Sequence, residues 1–120
     1  MFTEISAGLV VQDGKILLTQ DDETGVWGPP TGFTQDGELS EDVVRRVVSE
    51  MAGCECSILR YRQRLKNEFE VDGEKFTFQP FSAEIDSEPD NGEWVPLSQL
   101  ESRELARPLH EIREEMTERL

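Results

Sequence analysis

The chain has 120 residues, 36% of them hydrophobic, and carries 26 acidic against 12 basic side chains for a formal net charge of -14. A chain of this size is expected to form one compact domain, residues 1–120, around one real core. Its mean hydropathy of -0.54 and its strand-sized apolar runs leave no membrane span or secretory signal, so a cytoplasmic location is expected, and the acidity argues against non-specific nucleic-acid or anionic-membrane binding.

In chain order, Ile5 to Gln12 and Lys15 to Gln20 read as strands joined by Asp13-Gly14, a strong two-residue hairpin signal. Asp21 to Gly32 reads as a loop rich in Gly, Pro and Thr. Ser40 is expected to be the N-cap of a helix over Glu41 to Ala52, with Glu41 and Asp42 in its first turn and Gly53 as its stop. Cys56 to Val71 and Lys75 to Ile85 read as strands around the turn Asp72-Gly73. Pro108 opens a last helix, on which Leu109, Ile112, Met116 and Leu120 share one face. No internal repeat, linker or second domain is visible.

Cys54 and Cys56 form a Cys-x-Cys with no second pair, and His110 is the only histidine. A zinc site normally needs four ligands, so both cysteines read as small buried side chains. Only three of the basic residues are lysines: Lys15, Lys66 and Lys75. This balance is similar to that of cytosolic proteins from salt-loving microbes; the alternative is an ordinary acidic protein. Repulsion across such a surface is screened by added salt.

The segment Gly32 to Cys54 resembles the Nudix box, a Gly, five residues, a Glu, seven residues, then Arg-Glu-U-x-Glu-Glu-x-Gly-U with U apolar. Gly32, Glu38, Arg46, Val48, Glu50, Gly53 and Cys54 fall in register. Trp27 and Pro30 precede the segment as a Trp and a Pro precede the family's box, and Glu93-Trp94-Val95-Pro96-Leu97 is similar to the Glu-Trp segment before the family's last helix. The resemblance covers the chain from about Ile5 to its end. It implies an α/β (α+β) fold, a Nudix-like α/β/α sandwich whose mixed sheet is flanked by the box helix and a C-terminal helix.

Two positions depart from the pattern. The family's Glu after the Arg is Val47, and the second Glu of its pair is Met51. With the residue matched by Glu50, these are the carboxylates that hold Mg²⁺ in the family. The resemblance implies that Glu38 supports the box loop, Arg46 orients neighbouring acids and Glu50 is a metal ligand. Glu88, five residues before Glu93, resembles an extra loop carboxylate that some members use as ligand or base; the alternative for Glu50 and Glu88 is a solvated surface acid. At about 100° per residue Val43, Val44, Val47, Val48 and Met51 form one apolar stripe that spreads over the metal-binding face. Mg²⁺ or Mn²⁺ is therefore expected to bind weakly if at all.

Arg60, Arg62, Arg64 and Lys66 alternate along the expected strand, which would place four of the twelve basic residues on one face. One reading is a subsite for the phosphates of a nucleotide. The other is pairing with strand acids such as Glu70, Glu74 or Glu84. Trp27, Phe33 and Tyr61 either stack on a base or belong to the core. Two functions stay open. One is a Nudix-type hydrolase that cleaves the phosphoanhydride of nucleoside diphosphate-linked compounds with metal assistance, weakened by the degenerate box. The other is a catalytically silent Nudix-like domain that binds a nucleotide or a protein partner. A small nucleotide-type ligand is the expected partner, and a homodimer is compatible with the sequence.

Overall fold

The computed structural model describes residues 2–106 together with Leu109, Met116, Glu118 and Leu120. Strand β1 (Thr3–Gln12) turns into β2 (Lys15–Gln20) through Asp13 and Gly14, both at positive φ (51° and 74°), the backbone of the expected tight hairpin. The segment expected to be a loop contains two short strands, β3 (Trp27–Gly28) and β4 (Thr31–Phe33). They escape periodicity because two or three residues give no alternation to detect.

The single long helix of the described residues, α1, spans Ser40–Ala52. Its N-cap is Leu39, not Ser40. The Asp42 carboxylate accepts the Leu39 amide proton at 2.9 Å, while the Ser40 hydroxyl donates across to Gln79 Oε1 at 3.1 Å. Side-chain capping is thus supplied from inside the helix, and Ser40 ties the first turn to the sheet. Gly53 ends the helix at φ 73° in the left-handed conformation.

The long strand expected from Cys56 to Val71 is three pieces: β5 (Cys56–Tyr61), a 3-10 turn over Gln63–Leu65, and β6 (Asn67–Val71). The register shifts between Ile58 and Arg60, and Leu65 is drawn fully into the core. Burying that leucine rewards the break. Strand β7 (Glu74–Ile85) then pairs β6 along its first half and β5 along its second, and β8 (Glu93–Pro96) pairs β2. The sheet order is β3-β2-β1-β7-β5, with β1 and β7 parallel and the other pairings antiparallel.

Both faces of the sheet are covered, which is why β1 buries a continuous run from Ser6 to Val10 instead of alternating. On one face α1 lays Val44, Val48 and Ala52 on Val10, Phe81 and Ala83. The helix can approach because Gly8 lies beneath it; a Cβ there would fall 2.9 Å from Val48 Cγ2. On the other face Ala7, Leu9 and Phe78 pack against Leu97, Leu100, Leu105, Leu109 and Met116. Leu109 and Met116 are helical and fully buried, and Leu120 packs against the same cluster. Pro108 and Ile112, the other markers of the expected last helix, lie outside the described residues. Cys54 is buried and Cys56 partly so; neither forms a disulfide.

Candidate active site

The loop before α1 curls back over the helix, so that Glu38 meets Arg46 two turns into it. Arg46 Nε donates to Glu38 Oε2 at 2.9 Å, and Nη2 donates to Glu38 Oε1 at 3.1 Å and to the Phe33 carbonyl at 2.8 Å. The Gln35 amide donates to the same Glu38 carboxylate at 2.9 Å. This forked pairing joins strand β4, the loop and the helix in one network. The Arg46 guanidinium, and after it the Gln35 amide, hold the Glu38 carboxyl below its ordinary range. Glu38 in turn raises the Arg46 pKa further.

A depressed folded-state pKa stabilises the fold above the ordinary glutamate value of 4.5 and loses that contribution as pH falls through the folded value. The stability gap between wild type and Glu38→Gln is therefore expected to be full near about pH 7 and to shrink below about pH 4.5. Urea unfolding at a series of pH values measures it. A gap that widens on acidification would show that Glu38 is not held as an ion.

Beyond this scaffold the box helix has changed character. Val47 is 2% exposed, and its Cγ1 lies 2.6 Å from where a Cβ on Gly32 would sit, so the valine fills the space that the glycine leaves open. Met51, 38% exposed, turns toward a cleft instead of the core. Glu50 is mostly exposed and ion-paired to Arg46 Nη1 at 3.6 Å. The three positions thus hold a packing residue, a surface carboxylate and a thioether.

The cleft has two connected parts that share Thr19 and Met51. An inner cavity of about 300 Å³ is mainly apolar, with Ile5, Pro29, Phe69 and Phe78 in its wall. An outer cavity of about 590 Å³ is bordered by Gln20, Asp22, Trp27, Asn91 and Glu93. Trp27 is held by backbone bonds on both sides, donating to the Glu104 carbonyl and accepting from the Ala106 amide, each at 2.7 Å. The Arg103 guanidinium lies 5.0 Å from the Trp27 ring centroid and pairs with the Glu93 carboxylate. Sequence reasoning missed Glu93 as a cleft residue and Arg103 as its partner beside the cleft. The Glu93-Trp94 segment was a signal for the first, whereas Arg103 reads only as a surface cation until β3 and β8 are seen pairing with successive parts of β2.

Glu88 sits exposed in the loop over residues 86–92. That loop docks on the end of α1, where the Ala52 carbonyl accepts the amides of Asp90 at 2.7 Å and Asn91 at 3.2 Å. The docking fixes the loop without gathering Glu88 into a ligand set. The arginines lie elsewhere. Arg60, Arg62 and Arg64 border a separate concavity with Tyr61, Gln63 and Glu118. The strand break ends their alternation, so they do not form a period-two face. Register also separates Arg60 from the acids considered as partners: it faces Ser82, whereas Glu84 faces Ser57 and Glu70 faces Lys75. Tyr61 packs tilted against Phe81, ring centroids 5.0 Å apart, and Phe33 against Phe76, centroids 6.2 Å apart; neither borders the cleft.

A helix packed over a mixed sheet, with a Gly-to-Gly box bridging strand, loop and helix, has a counterpart among known proteins. The family model for the NUDIX domain matches residues 3–120. The chain belongs to the Nudix family. Its structure superposes on a Nudix hydrolase from Nitrosomonas europaea with a TM-score of 0.81 at 18% identity, covering 96% of this chain and 87% of that one. It superposes on the Ap4A hydrolase of C. elegans with a TM-score of 0.77 at 17% identity, covering 98% of each. A MutT Nudix hydrolase from Burkholderia pseudomallei gives 0.73 at 24% identity, covering 95% of this chain and 97% of that one. No curated protein sequence matches significantly. No helix among the described residues is long and apolar enough to cross a membrane.

Nudix hydrolases generally use a divalent metal such as Mg²⁺. The residues of this Nudix chain do not fit a caged ion. Val47 and Met51 offer no oxygen, and no group of three or more His, Cys, Asp or Glu side chains converges among the described residues. Among the described residues the scaffold holds the Glu38–Arg46 brace, and Glu50 is the carboxylate at the three box positions.

Proposed function

We propose that this protein binds a nucleoside diphosphate-linked compound in the cleft bordered by Trp27 and Met51, with hydrolysis of the phosphoanhydride attenuated by orders of magnitude relative to a chain with three box carboxylates. The observation that carries this reading is the burial of Val47 against Gly32. An apolar side chain there contributes about 1.5–3 kcal/mol by burial, whereas a missing carboxylate about 4 Å from a cation forgoes about 4 kcal/mol at an effective dielectric near 20. The position serves packing, at the expense of charge.

The chain's own residues support binding in several ways. Backbone bonds on both sides of Trp27 fix its main chain, and its side chain borders the outer cavity. The Arg103 guanidinium, held by Glu93, supplies a cation beside the indole and beside the position of an incoming anionic group. The inner cavity offers apolar walls for a base or another flat moiety. Glu50 is the one carboxylate left at the three box positions and the residue on which any residual hydrolysis rests.

Calorimetry with ADP-ribose, a dinucleoside polyphosphate and a nucleoside triphosphate, paired with turnover assays, tests the reading. Binding is expected without added metal, weakened at least about tenfold by Trp27→Ala, with Mg²⁺ itself binding only in the millimolar range or weaker. Rapid Mg²⁺-dependent turnover by the wild type that disappears in Glu50→Gln would overturn attenuation. Absence of binding to every member of the panel would overturn the ligand assignment.

A further inference from the structure

The concavity at Arg60, Arg62 and Arg64 is not absorbed by the cleft. It measures about 570 Å³ and shares no bordering residue with either cleft cavity. Strand β5 lies at the sheet edge opposite β3, and four strand spacings of about 4.8 Å put it on the order of 19 Å across from Trp27. The concavity and the cleft therefore lie on different parts of the sheet.

We propose that this concavity is a second binding site, specific for a chain of phosphates, in which Arg60 and Arg64 are the principal contacts. Three features support it. Arg60, Arg62, Arg64 and Lys66 place four of the twelve basic residues within one short segment of a chain whose net charge is -14. Arg60 and Arg64 form no ion pair among the described residues; the acid bordering the concavity is Glu118. In a protein with acids in such excess, two exposed guanidiniums without an ion pair among the described residues stand out.

The third feature is rigidity. The Arg62 amide donates to the Pro80 carbonyl at 2.8 Å, and the turn closes through Leu65 N to Arg62 O at 2.9 Å and Lys66 N to Gln63 O at 3.2 Å. Leu65 is fully buried and the Tyr61 ring packs tilted against Phe81, so the segment is anchored at both ends. A fixed backbone lowers the ordering cost of presenting the guanidinium forks, whose geometry suits paired phosphate oxygens. The exposed edge of Tyr61 beside them offers a surface for a base where the phosphates belong to a nucleotide.

Titration with inorganic tripolyphosphate, in metal-free buffer, tests the site apart from the cleft. One-to-one binding is expected, with amide NMR shifts concentrated on residues 60–66 of the wild-type protein. Arg60→Ala with Arg64→Ala should weaken it at least about tenfold, while Lys15→Ala with Arg45→Ala, which removes the same charge elsewhere, should leave it within about twofold, as should Trp27→Ala. A nucleoside triphosphate binding the same segment more tightly than tripolyphosphate would assign the source as a nucleotide; equal affinity would assign free polyphosphate. Failure of tripolyphosphate to bind, equal losses in both charge-matched doubles, or loss in Trp27→Ala would overturn the proposal, the last by making the two sites one. Failure of the cleft ligands alone leaves this site standing.

Discussion

Val47→Glu with Met51→Glu is expected to raise Mg²⁺ affinity by at least about a hundredfold and to bring out Mg²⁺-dependent release of a nucleoside monophosphate from ADP-ribose, a dinucleoside polyphosphate or a nucleoside triphosphate. Each carboxylate about 4 Å from the ion is worth about 4 kcal/mol per unit of the ion's charge at an effective dielectric near 20, so even after desolvation and repulsion two of them exceed the roughly 2.7 kcal/mol that a hundredfold requires. The brace needed to orient them is present, since Arg46 already spans Glu38, the Phe33 carbonyl and Glu50. The two positions differ in cost. Met51 is 38% exposed and accepts a glutamate at the cleft wall, whereas Val47 is 2% exposed and packs against Gly32, so a glutamate there loses about 1.5–3 kcal/mol of burial and must swing its carboxylate outward. Thermal melts of each single and the double variant, run beside the metal titration, separate unfolding from failure to bind. A double variant that melts as one cooperative unit and still binds Mg²⁺ no better than wild type would show that more than the two carboxylates has been lost.

Raising KCl from about 0.1 M to about 2 M is expected to increase the melting temperature by about 10 °C, which for a chain of this size corresponds to roughly 2 to 3 kcal/mol. The Debye length falls from about 10 Å to below about 3 Å over that range, and repulsion among 26 acids is what it removes. Little attraction is lost in exchange. The exposed pairs of Arg45 with Glu41 at 3.7 Å and Asp42 at 3.3 Å are of the kind worth about 0–1 kcal/mol. The forked Glu38–Arg46 pair is more sheltered and is screened less. Circular dichroism melts across the salt series give the answer, and a flat or falling melting temperature would remove the argument for adaptation to salt.

The hairpin turns and the box helix were legible in the sequence because each depends on local chemistry. Asp13-Gly14 and Asp72-Gly73 adopt positive φ wherever the chain needs a two-residue reversal. Gly53 stops α1 by the same freedom. The spacing from Gly32 to Cys54 likewise marks the fold, since it encodes a contact repeated inside one short segment: glycine under helix, glutamate over arginine. The absence of oxygen at Val47 and Met51 is a fact of composition, and no folding can restore it.

The rest was decided by contacts between distant residues. Four basic side chains at alternate positions look like one strand face, but Leu65 between them is drawn fully into the core, so the chain turns over Gln63–Leu65 and the alternation is broken. The N-cap moved to Leu39 because Ser40 found Gln79 on β7, a partner thirty-nine residues away. Arg103 lies next to the cleft because β2 pairs with both β3 and β8, placing Trp27 and Glu93 within its reach. In each case the deciding energy belongs to a pair of residues separated along the chain, and periodicity within one segment carries no information about which distant side chain will be there to meet it.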